Sequence, residues 1–350
     1  MADSISAMPS GPRPRGTHRA STIRDVASLA GVSKSTASRA LLGQAGVSPD
    51  NLEKVRQAVL RLDYVPNQIA RSLSASSPTL LGLFVRQSGS PFYAQLAGAF
   101  ESQAGVHGYE VLSVSSDDRP DEANYRSLMV LADLRAAGIV VATPTVDPRT
   151  IRQIASRVPL VLVGQMGQPD NPDVPFVAPD PTRGEVLIDH IAGLGHESIA
   201  LTANPPEHSP TQWARVELMQ KQLQDRRLAG RFTVLQPGTS ITRTVDELHR
   251  AGITAILCND DTTALDAIAA AEQLGLSVPR DISIAGHDGM APLDHAAIGL
   301  TTYRVPIEAM AAASVELVEK LVRAEKVTTG GVLLTGKFIE GRTTGPPPPP

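Results

Sequence analysis

The chain has 350 residues, of which 42% are apolar and 19% are charged, and its formal net charge at pH 7 is −4. At roughly 150 residues per domain, this length predicts two or three domains with a sizeable hydrophobic core. The composition excludes a disordered chain, and no apolar run reaches the ~18 residues of a membrane span. The single cysteine, Cys258, excludes an internal disulfide framework and a cysteine-based zinc site.

The charge is unevenly distributed along the chain. Residues 1–76 carry 10 Lys and Arg against 5 Asp and Glu, whereas residues 77–350 carry 22 against 31. A small basic segment joined to a larger acidic body is typical of a nucleic-acid-binding domain attached to a regulatory domain. Chance clustering of arginines in a disordered tail explains the charge equally well. Residues 1–20 contain no apolar core of a signal peptide, so we expect a cytoplasmic protein.

Three short helices are predicted within residues 21–66. Thr22 and Asp25 have the spacing of a capping box, and Gly31 follows the first helix as a residue that readily adopts positive φ. Ser48 precedes a proline at the start of the third helix, which is a typical cap. The first two helices and the short turn between them predict a helix-turn-helix.

Two series of short apolar runs follow, separated by stretches with helical periodicity. The runs are LLGLFV (80–85), YEVLSV (109–114), GIVVA (138–142) and PLVLV (159–163), then SIALTA (198–203), FTVLQ (232–236), TAILC (254–258) and ISIAG (282–286). Such alternation predicts parallel sheets with helices on both faces. Two series predict two lobes, with a ligand cleft at the carboxyl ends of the strands.

The ordered set of motifs resembles the lactose/galactose repressor (LacI/GalR) family of bacterial transcription regulators. The motifs are TIRDVASLAGVSKSTASRAL, YVPNQIARSLSAS, TLLGLFV, ILCNDDTTALDAI, LGLSVPRDISIAGHDG and LTTYRVPIEAM. The resemblance covers about residues 21–340. It implies an α/β fold in which a small all-α headpiece and a hinge helix are joined to a two-lobed core like the periplasmic binding proteins. It also implies a homodimer that binds a near-palindromic operator and responds to a small effector in the core cleft.

The expected organisation follows from the composition and the resemblance together. It comprises a disordered tail (1–20), a helix-turn-helix DNA-binding domain (21–66), a hinge helix and linker (67–78), a two-lobed effector-binding and dimerisation core (79–340) and a proline-rich tail (341–350).

The predicted DNA base contacts are Lys34, Ser35, Arg39 and Leu73. Arg39 lies one helical turn beyond Ser35 on the same outward face, where a guanidinium group can pair with guanine. The alternative for Arg39 is a solvated surface arginine. Leu73 is an apolar residue in a polar hinge, and the family inserts this leucine into the minor groove. The alternative for Leu73 is packing of one hinge against another.

The predicted DNA backbone contacts share short polar or basic side chains near helix starts and in the hinge. They are Thr22, Thr36, Ser38, Ser48, Tyr64, Asn67 and Arg71. Short hydroxyl groups fix the position of a protein on DNA without reading its sequence. For Thr22 and Ser48, a pure helix-capping role is the alternative, and both roles are compatible.

The predicted effector contacts are Ser90, Phe92, Arg215, Asn259 and Asp288. Arg215, Asn259 and Asp288 match family positions that bond the effector, and a guanidinium, an amide and a carboxylate suit a polar ligand. A loop cap or a hydrogen bond between lobes is the alternative for Asn259 and Asp288. Ser90 and Phe92 follow the first strand, where an aromatic ring would stack on a sugar or base, and ordinary helix packing is the alternative.

Three positions depart from the family pattern. Val305 stands where many members have glutamine, Gly164 where some sugar-binding members have aspartate, and His287-Asp288-Gly289 replaces an aromatic-Asp-Asp sequence. The effector is therefore expected to be sugar-like or nucleobase-like without further assignment. We expect no cofactor and no metal.

Two other functions compete with a transcription regulator. A solute-binding protein of a sugar importer would need the core but not the headpiece. An enzyme would use His287-Asp288 as part of a triad or Asp260-Asp261 as paired carboxylates, but the chain contains no G-x-S-x-G or P-loop motif. Cys258 follows an apolar run and is expected to be a small buried residue, so we expect no catalytic residue, no enzyme and no membrane partner.

Overall fold

The computed structural model describes residues 21–41, 45–64, 79–116, 120–165, 168, 170–293, 295, 297–327 and 330–349. The chain divides into two compact units, Met1–Ser76 and Ser77–Pro350. The predicted hinge helix and linker, residues 67–78, lie outside the described residues.

The first unit contains three helices around a small core. They are α1 (Ile23–Ala30), α2 (Lys34–Leu41) and α3 (Pro49–Arg61). The predicted capping box is confirmed: the Thr22 N–H donates to the Asp25 carboxylate at 2.7 Å, and the Asp25 N–H donates to the Thr22 hydroxyl. The core is made of small apolar side chains, which let the helices approach closely. They are Val26, Ala27, Ala30, Ala37, Ala40, Val55 and Ala58.

The first lobe of the second unit is built on a six-stranded parallel sheet. Its strands are β1 (Leu80–Val85), β2 (Glu110–Ser115), β3 (Gly138–Ala142), β4 (Leu160–Val163), β5 (Phe176–Pro179) and β11 (Gly331–Leu334), in the order β11-β5-β4-β3-β1-β2. Its helices are α4 (Pro91–Val106), α5 (Asp121–Asp133), α6 (Pro148–Ala155) and α11 (Ile307–Val322). Helices α4 and α11 pack against one face and α5 and α6 against the other.

The central strands of this lobe are apolar at every position because both of their faces are covered. In β3, Val140 contacts the core on the side of α4 and α11, whereas Ile139 and Val141 contact the core on the side of α5 and α6. This is the expected consequence of a parallel sheet with helices on both faces.

The second lobe repeats this plan with a four-stranded parallel sheet. Its strands are β6 (Ser198–Ala203), β7 (Ala229–Val234), β8 (Ala255–Leu257) and β9 (Ser283–Ala285), in the order β7-β6-β8-β9. Its helices are α7 (Glu185–Gly193), α8 (Pro210–Asp225), α9 (Ile241–Arg250) and α10 (Asp261–Gln273). A 3-10 turn, Pro181–Gly184, precedes α7. Strand β10 (Thr302–Arg304) pairs with β12 (Lys337–Ile339) in an antiparallel ribbon.

All eight predicted strands are present, so the predicted two-lobed α/β core is confirmed. The predicted run FTVLQ begins three residues after the start of β7 at Ala229. The short strands β5, β10, β11 and β12 were not predicted. Within the described part of the chain, no helix combines the length and the apolar character that a membrane crossing requires.

The chain that packs on the second lobe extends beyond the predicted core boundary at residue 340. The Ile284 N–H donates to the carbonyl of Thr343 at 2.8 Å, and Thr343 is buried. His196 Nε2 lies 2.8 Å from the carbonyl of Gly345. These contacts attach residues 343–345 to the second lobe, although their sequence predicts no helix or strand.

Candidate functional site

The outward face of α2 presents the side chains predicted to read bases. Lys34, Ser35 and Arg39 are exposed, whereas Ala37 and Ala40 are buried against α1 and α3. Such a second helix can lay its first turns in a DNA groove while its other side stays in the core. The roles of these three residues stay a prediction.

Three of the seven predicted backbone contacts, Thr22, Thr36 and Ser48, make side-chain hydrogen bonds within the first unit. The Thr36 N–H donates to Ser33 Oγ at 3.0 Å, and the Thr36 hydroxyl lies 2.9 Å from the same atom. Ser48 Oγ accepts from the Asn51 N–H at 3.3 Å, so Ser48 caps α3 as Thr22 caps α1.

Two of the predicted backbone contacts, Ser38 and Tyr64, are half-buried in the first unit. The predicted contacts Asn67, Arg71 and Leu73 lie outside the described residues. DNA contact by each of the named residues stays a prediction.

A cleft of about 440 Å³ lies where the carboxyl ends of both sheets meet. Residues at or just beyond strand ends line it: Arg86, Ala142, Gly164 and Pro179 from the first lobe, and Asn204, Leu235, Asp260 and Asp288 from the second. The position of this cleft agrees with the expectation for open parallel sheets. Its volume lies within the range of small-molecule sites.

Arg215 on α8 lines the cleft and is almost fully buried. One terminal nitrogen donates to the carbonyl of Asn259, and the other lies 3.0 Å from His287 Nδ1. Burial lowers the pKa of Arg215 to about 9, and the nearby Arg183 guanidinium lowers it in the same direction. The guanidinium group is therefore a poorly solvated cation at the wall of the cleft.

Asn259 lies behind the wall of the cleft and does not line it. Its side-chain oxygen accepts from the Thr202 hydroxyl at 2.8 Å, and its side-chain nitrogen donates to Asp260 at 2.8 Å. The residue is 1% exposed, and both polar atoms of its amide have a protein partner. Asn259 influences the cleft only indirectly, because its backbone carbonyl accepts a hydrogen bond from the Arg215 guanidinium.

Asp288 lines the cleft in a strained loop after β9. Its φ of 118° is in a region that non-glycine residues rarely adopt. The loop is held because the Asp288 N–H donates to the Tyr303 carbonyl at 2.9 Å and the Val305 N–H donates to the Asp288 carbonyl at 3.0 Å. At Gly289 a Cβ would lie 2.2 Å from Arg304 Cα, which explains the glycine in this loop.

His287 lies between Arg215 and Asp288 and can satisfy only one of them. Its Nδ1 is 3.0 Å from Arg215 and 3.0 Å from Asp288 Oδ1. Burial lowers the pKa of His287 well below its usual value, as do the Arg215 and Arg183 charges, so the ring is neutral. A neutral Nδ1 either donates or accepts one hydrogen bond. Either Asp288 or Arg215 is thus left with bonding capacity toward the cleft.

The neighbouring carboxylates Asp260 and Asp261 have structural partners. Asp260 Oδ1 accepts from the Thr263 N–H at 2.7 Å and caps α10. Asp261 accepts from the Thr302 hydroxyl at 2.6 Å and from the Met290 N–H at 2.8 Å. Both side chains therefore serve the fold, which removes the paired-carboxylate interpretation of an active site.

The first lobe contributes Ser90 and Phe92 to the cleft, as predicted from their position after β1. Ser90 precedes α4 without a capping bond from its side chain. Phe92 packs edge-to-face on Tyr93 with ring centroids 5.3 Å apart, and Tyr93 also lines the cleft. Contact of these side chains with an effector stays a prediction.

Trp213 and Cys258 do not line the cleft. Trp213 packs on Phe232 with ring centroids 5.0 Å apart. Cys258 is buried, and burial raises the pKa of its thiol, so it is an inert core residue. The Nε2 atom of His287 has no hydrogen-bond partner within the described chain, so no nucleophile is paired with it there.

One cleft residue has no sequence signal of the kind used above. Arg183 lies in the 3-10 turn between β5, a strand that the sequence did not predict, and α7, and it lines the cleft. The only local signal is the Asp180-Pro181 start of that turn, where Asp180 accepts from the Thr182 N–H at 2.8 Å.

Comparisons with known proteins agree with this architecture. A model described as bacterial regulatory proteins, lacI family, matches residues 22–67, and a periplasmic binding protein-like domain matches residues 188–344. The transcriptional regulator MalR of Streptomyces coelicolor is 30% identical over 345 residues, which cover 93% of this chain and 97% of that protein. The ribose operon repressor of Halalkalibacterium halodurans is 29% identical over 329 residues, which cover 92% of this chain and 97% of that protein.

A solved structure extends the similarity to three dimensions. The lac repressor dimer bound to operator and the anti-inducer ONPF has a TM-score of 0.76 and 26% identity, and the match covers 93% of this chain and 100% of that chain. The headpiece match does not favour a solute-binding protein. The chain belongs to the lacI family of bacterial regulatory proteins, which are DNA-binding transcription regulators and not enzymes.

Proposed function

We propose that this regulator is a repressor that binds a near-palindromic operator as a homodimer and responds to a small polar effector in the core cleft. One observation carries the proposal: the same chain holds a helix with an exposed polar face and a two-lobed core whose cleft is lined by Arg215 and Asp288. The proposed place of action is the cytoplasm, where operator DNA lies.

The DNA contacts divide into reading and positioning residues. Lys34, Ser35 and Arg39 contact base edges from the start of α2, because their side chains leave the same exposed face. Leu73 enters the minor groove at the operator centre. The positioning residues that contact phosphate groups are Thr22, Thr36, Ser38, Ser48, Tyr64, Asn67 and Arg71.

The effector contacts come from both lobes. Arg215 and Asp288 bond the polar groups of the effector from the second lobe, and Ser90 and Phe92 contact it from the first. Asn259, which the family pattern predicts as a direct contact, orients the Arg215 guanidinium through its backbone carbonyl. A ligand that touches both lobes favours one degree of closure and shifts the equilibrium between two states.

A homodimer explains how a single short helix reads an extended site. Two copies related by a two-fold axis present two α2 helices to two half-sites about one helical turn apart. The hinge segments of the two copies then meet at the operator centre.

Selection of DNA from a random pool tests the proposal. The full chain is incubated with the pool at one fixed salt concentration, because phosphate contacts make affinity steeply salt-dependent. The selection is repeated with each member of a panel of sugars, sugar phosphates, sugar acids, nucleosides and purines. We expect a near-palindrome of roughly 14–20 base pairs, and a panel member that changes its recovery.

Substitutions in the headpiece separate base reading from backbone contact. Lys34→Ala and Ser35→Ala are expected to change the selected sequence, whereas Leu73→Ala weakens binding to every sequence. Lys54→Ala is the matched control, because Lys54 is an exposed lysine ion-paired with Asp50 at 2.6 Å on α3. Equal weakening of all sequences by the Lys34 and Ser35 variants contradicts the base-reading assignment.

A further inference from the structure

Two guanidinium groups line the cleft without a carboxylate partner. Arg183 lies in the turn Pro181–Gly184 at the entry to the second lobe, and Arg215 lies on α8. Within the residues that the structure describes, neither forms an ion pair with an aspartate or glutamate. Arg215 is buried and Arg183 is half-buried, and it is costly to remove a cation from water without such a partner.

The hydrogen bonds of both groups leave capacity for a ligand. Arg183 donates from Nη1 to the carbonyl of Asp180 at 3.0 Å, and its buried Nε has no partner in the described part of the chain. Arg215 donates to the carbonyl of Asn259 and shares His287 Nδ1 with Asp288. Each guanidinium group carries five N–H donors, so most of them are not used by these contacts.

The nearby carboxylates do not neutralise these cations by direct contact. Asp288 Oδ1 lies 3.0 Å from His287 Nδ1. Both carboxylate oxygens of Asp261 accept hydrogen bonds, one from the Thr302 hydroxyl and one from the Met290 N–H. Burial lowers the pKa of Arg183 despite the opposing effect of the Asp288 carboxylate, so the protein surroundings stabilise its protonated form poorly. An anionic group between the two arginines would remove this deficit.

Two positions of the wall offer no side-chain hydrogen bond to a neutral hydroxyl group. Gly164 has no side chain and Val305 has an apolar one, at two positions that line the cleft. A hydroxyl that left water to face Val305 would lose hydrogen bonds. The wall also carries other polar side chains, among them Asn204, Gln212 and Asp266, but the charges of Arg183 and Arg215 have no ion-pair partner within the described residues.

Building on the proposed function of this cleft, we propose that Arg183 is a further effector-binding residue and that the effector carries an anionic group, a carboxylate or a phosphate, on a sugar-sized body. Arg183 donates to this group from the turn between the lobes, and Arg215 donates to it from α8. A planar guanidinium fork suits both anions, because it donates two parallel hydrogen bonds. Arg183 selects the charged ligand over its neutral counterpart.

Calorimetric titration of the full chain with matched ligand pairs tests this inference. The pairs are glucose with glucose 6-phosphate, ribose with ribose 5-phosphate, and galactose with galacturonate. We expect the charged member of at least one pair to bind about 10-fold or more tightly than its neutral partner. The phosphate pairs and the galacturonate pair distinguish the two anions. The preference weakens as salt rises.

Substitutions of Arg183 assign the preference to this residue. Arg183→Gln is expected to lower the affinity for the charged probe about 10-fold or more while the neutral probe changes little. Arg183→Lys keeps the charge but loses the fork, so it falls between the two. Arg226→Gln is the control, because Arg226 pairs with Asp189 at 2.6 Å outside the cleft in the same lobe. Circular dichroism melting confirms that each variant is folded.

The outcomes separate this inference from the proposed function. Unchanged affinity of folded Arg183→Gln for the charged probe overturns the role of Arg183. Binding of neutral panel members alone overturns the anionic effector but leaves the effector cleft standing. If no panel member binds and none changes operator recovery, the proposed function fails, and this inference fails with it.

Discussion

The buried carboxylate of Asp261 is expected to hold the loop of Asp288 in place. Its Oδ1 accepts from the Thr302 hydroxyl at 2.6 Å and its Oδ2 from the Met290 N–H at 2.8 Å. The first bond reaches β10 and the second reaches the end of the loop that carries Asp288. Asp261 is only 2% exposed, so bulk water does not replace either acceptor.

Replacing Asp261 with alanine leaves one buried hydroxyl and one buried N–H without an acceptor. Each orphaned donor costs about 1–3 kcal/mol, so Asp261→Ala is expected to lose about 2–6 kcal/mol of unfolding free energy. A loss of about 4 kcal/mol lowers Tm by roughly 8–16 °C in a unit of this size. Asp261→Asn is expected to lose less than about 1.5 kcal/mol, because its oxygen accepts from Met290 and its nitrogen donates to a rotated Thr302 hydroxyl.

Urea and thermal unfolding measure these losses. Trp213 is the single tryptophan of the chain and packs on Phe232 in the same lobe, so its fluorescence reports on that lobe. Asp266→Ala on the same helix is the control, because Asp266 is exposed. Equal losses for Asp261→Ala and Asp261→Asn, or a loss below about 1 kcal/mol for Asp261→Ala, would refute the reasoning.

Three further predictions follow from local contacts. Thr22→Ala removes the hydroxyl that caps α1 but keeps the backbone N–H that donates to Asp25, and it is expected to destabilise this helix by about 1 kcal/mol, measured by amide exchange in its first turn. Exchange rates equal to those of the unsubstituted chain would contradict it. Gly289→Ala is expected to lower the unfolding free energy by more than about 1 kcal/mol and to weaken effector binding, because the new Cβ would meet Arg304 Cα and φ is positive. A Tm within error of the parent would show that the loop yields. Burial lowers the pKa of His196, so the unfolded chain binds the proton more readily and stability falls as pH drops below about 6.5. His196→Gln is therefore expected to flatten the dependence of the urea midpoint on pH between about 6.5 and 5, by at most about 1.4 kcal/mol per pH unit, and an unchanged slope would assign that dependence to other groups.

The sequence located the strand bounds best where burial makes nearly every position apolar. The runs LLGLFV, GIVVA and SIALTA coincide with β1, β3 and β6. At β7 the prediction started late, because Arg231 lies within an edge strand that has an exposed face. Strands β10, β11 and β12 have three or four residues each, and their partners are far away in the sequence, so no local pattern marks them.

The sequence predicted the cleft residues that lie at strand ends. It did not predict the direction in which each side chain points. Asp288 follows β9 and lines the cleft, as its position predicts. Asn259 also follows a strand, but its amide turns to Thr202, which lies 57 residues earlier. Arg183 follows β5, a short strand that no sequence pattern marked, so no predicted strand end indicated that it reaches the cleft.

The ribosome synthesises β11 and residues 343–345 last, so the contacts that they make in the core form late. The three headpiece helices are complete by residue 61, whereas β11 pairs with β5 and Thr343 bonds Ile284 about 280 residues later. At 5–20 residues per second, this separation is roughly 15–55 s. During that interval the nascent chain carries a finished DNA-binding module and an unfinished sensor, so translation sets the earliest moment at which the effector can act.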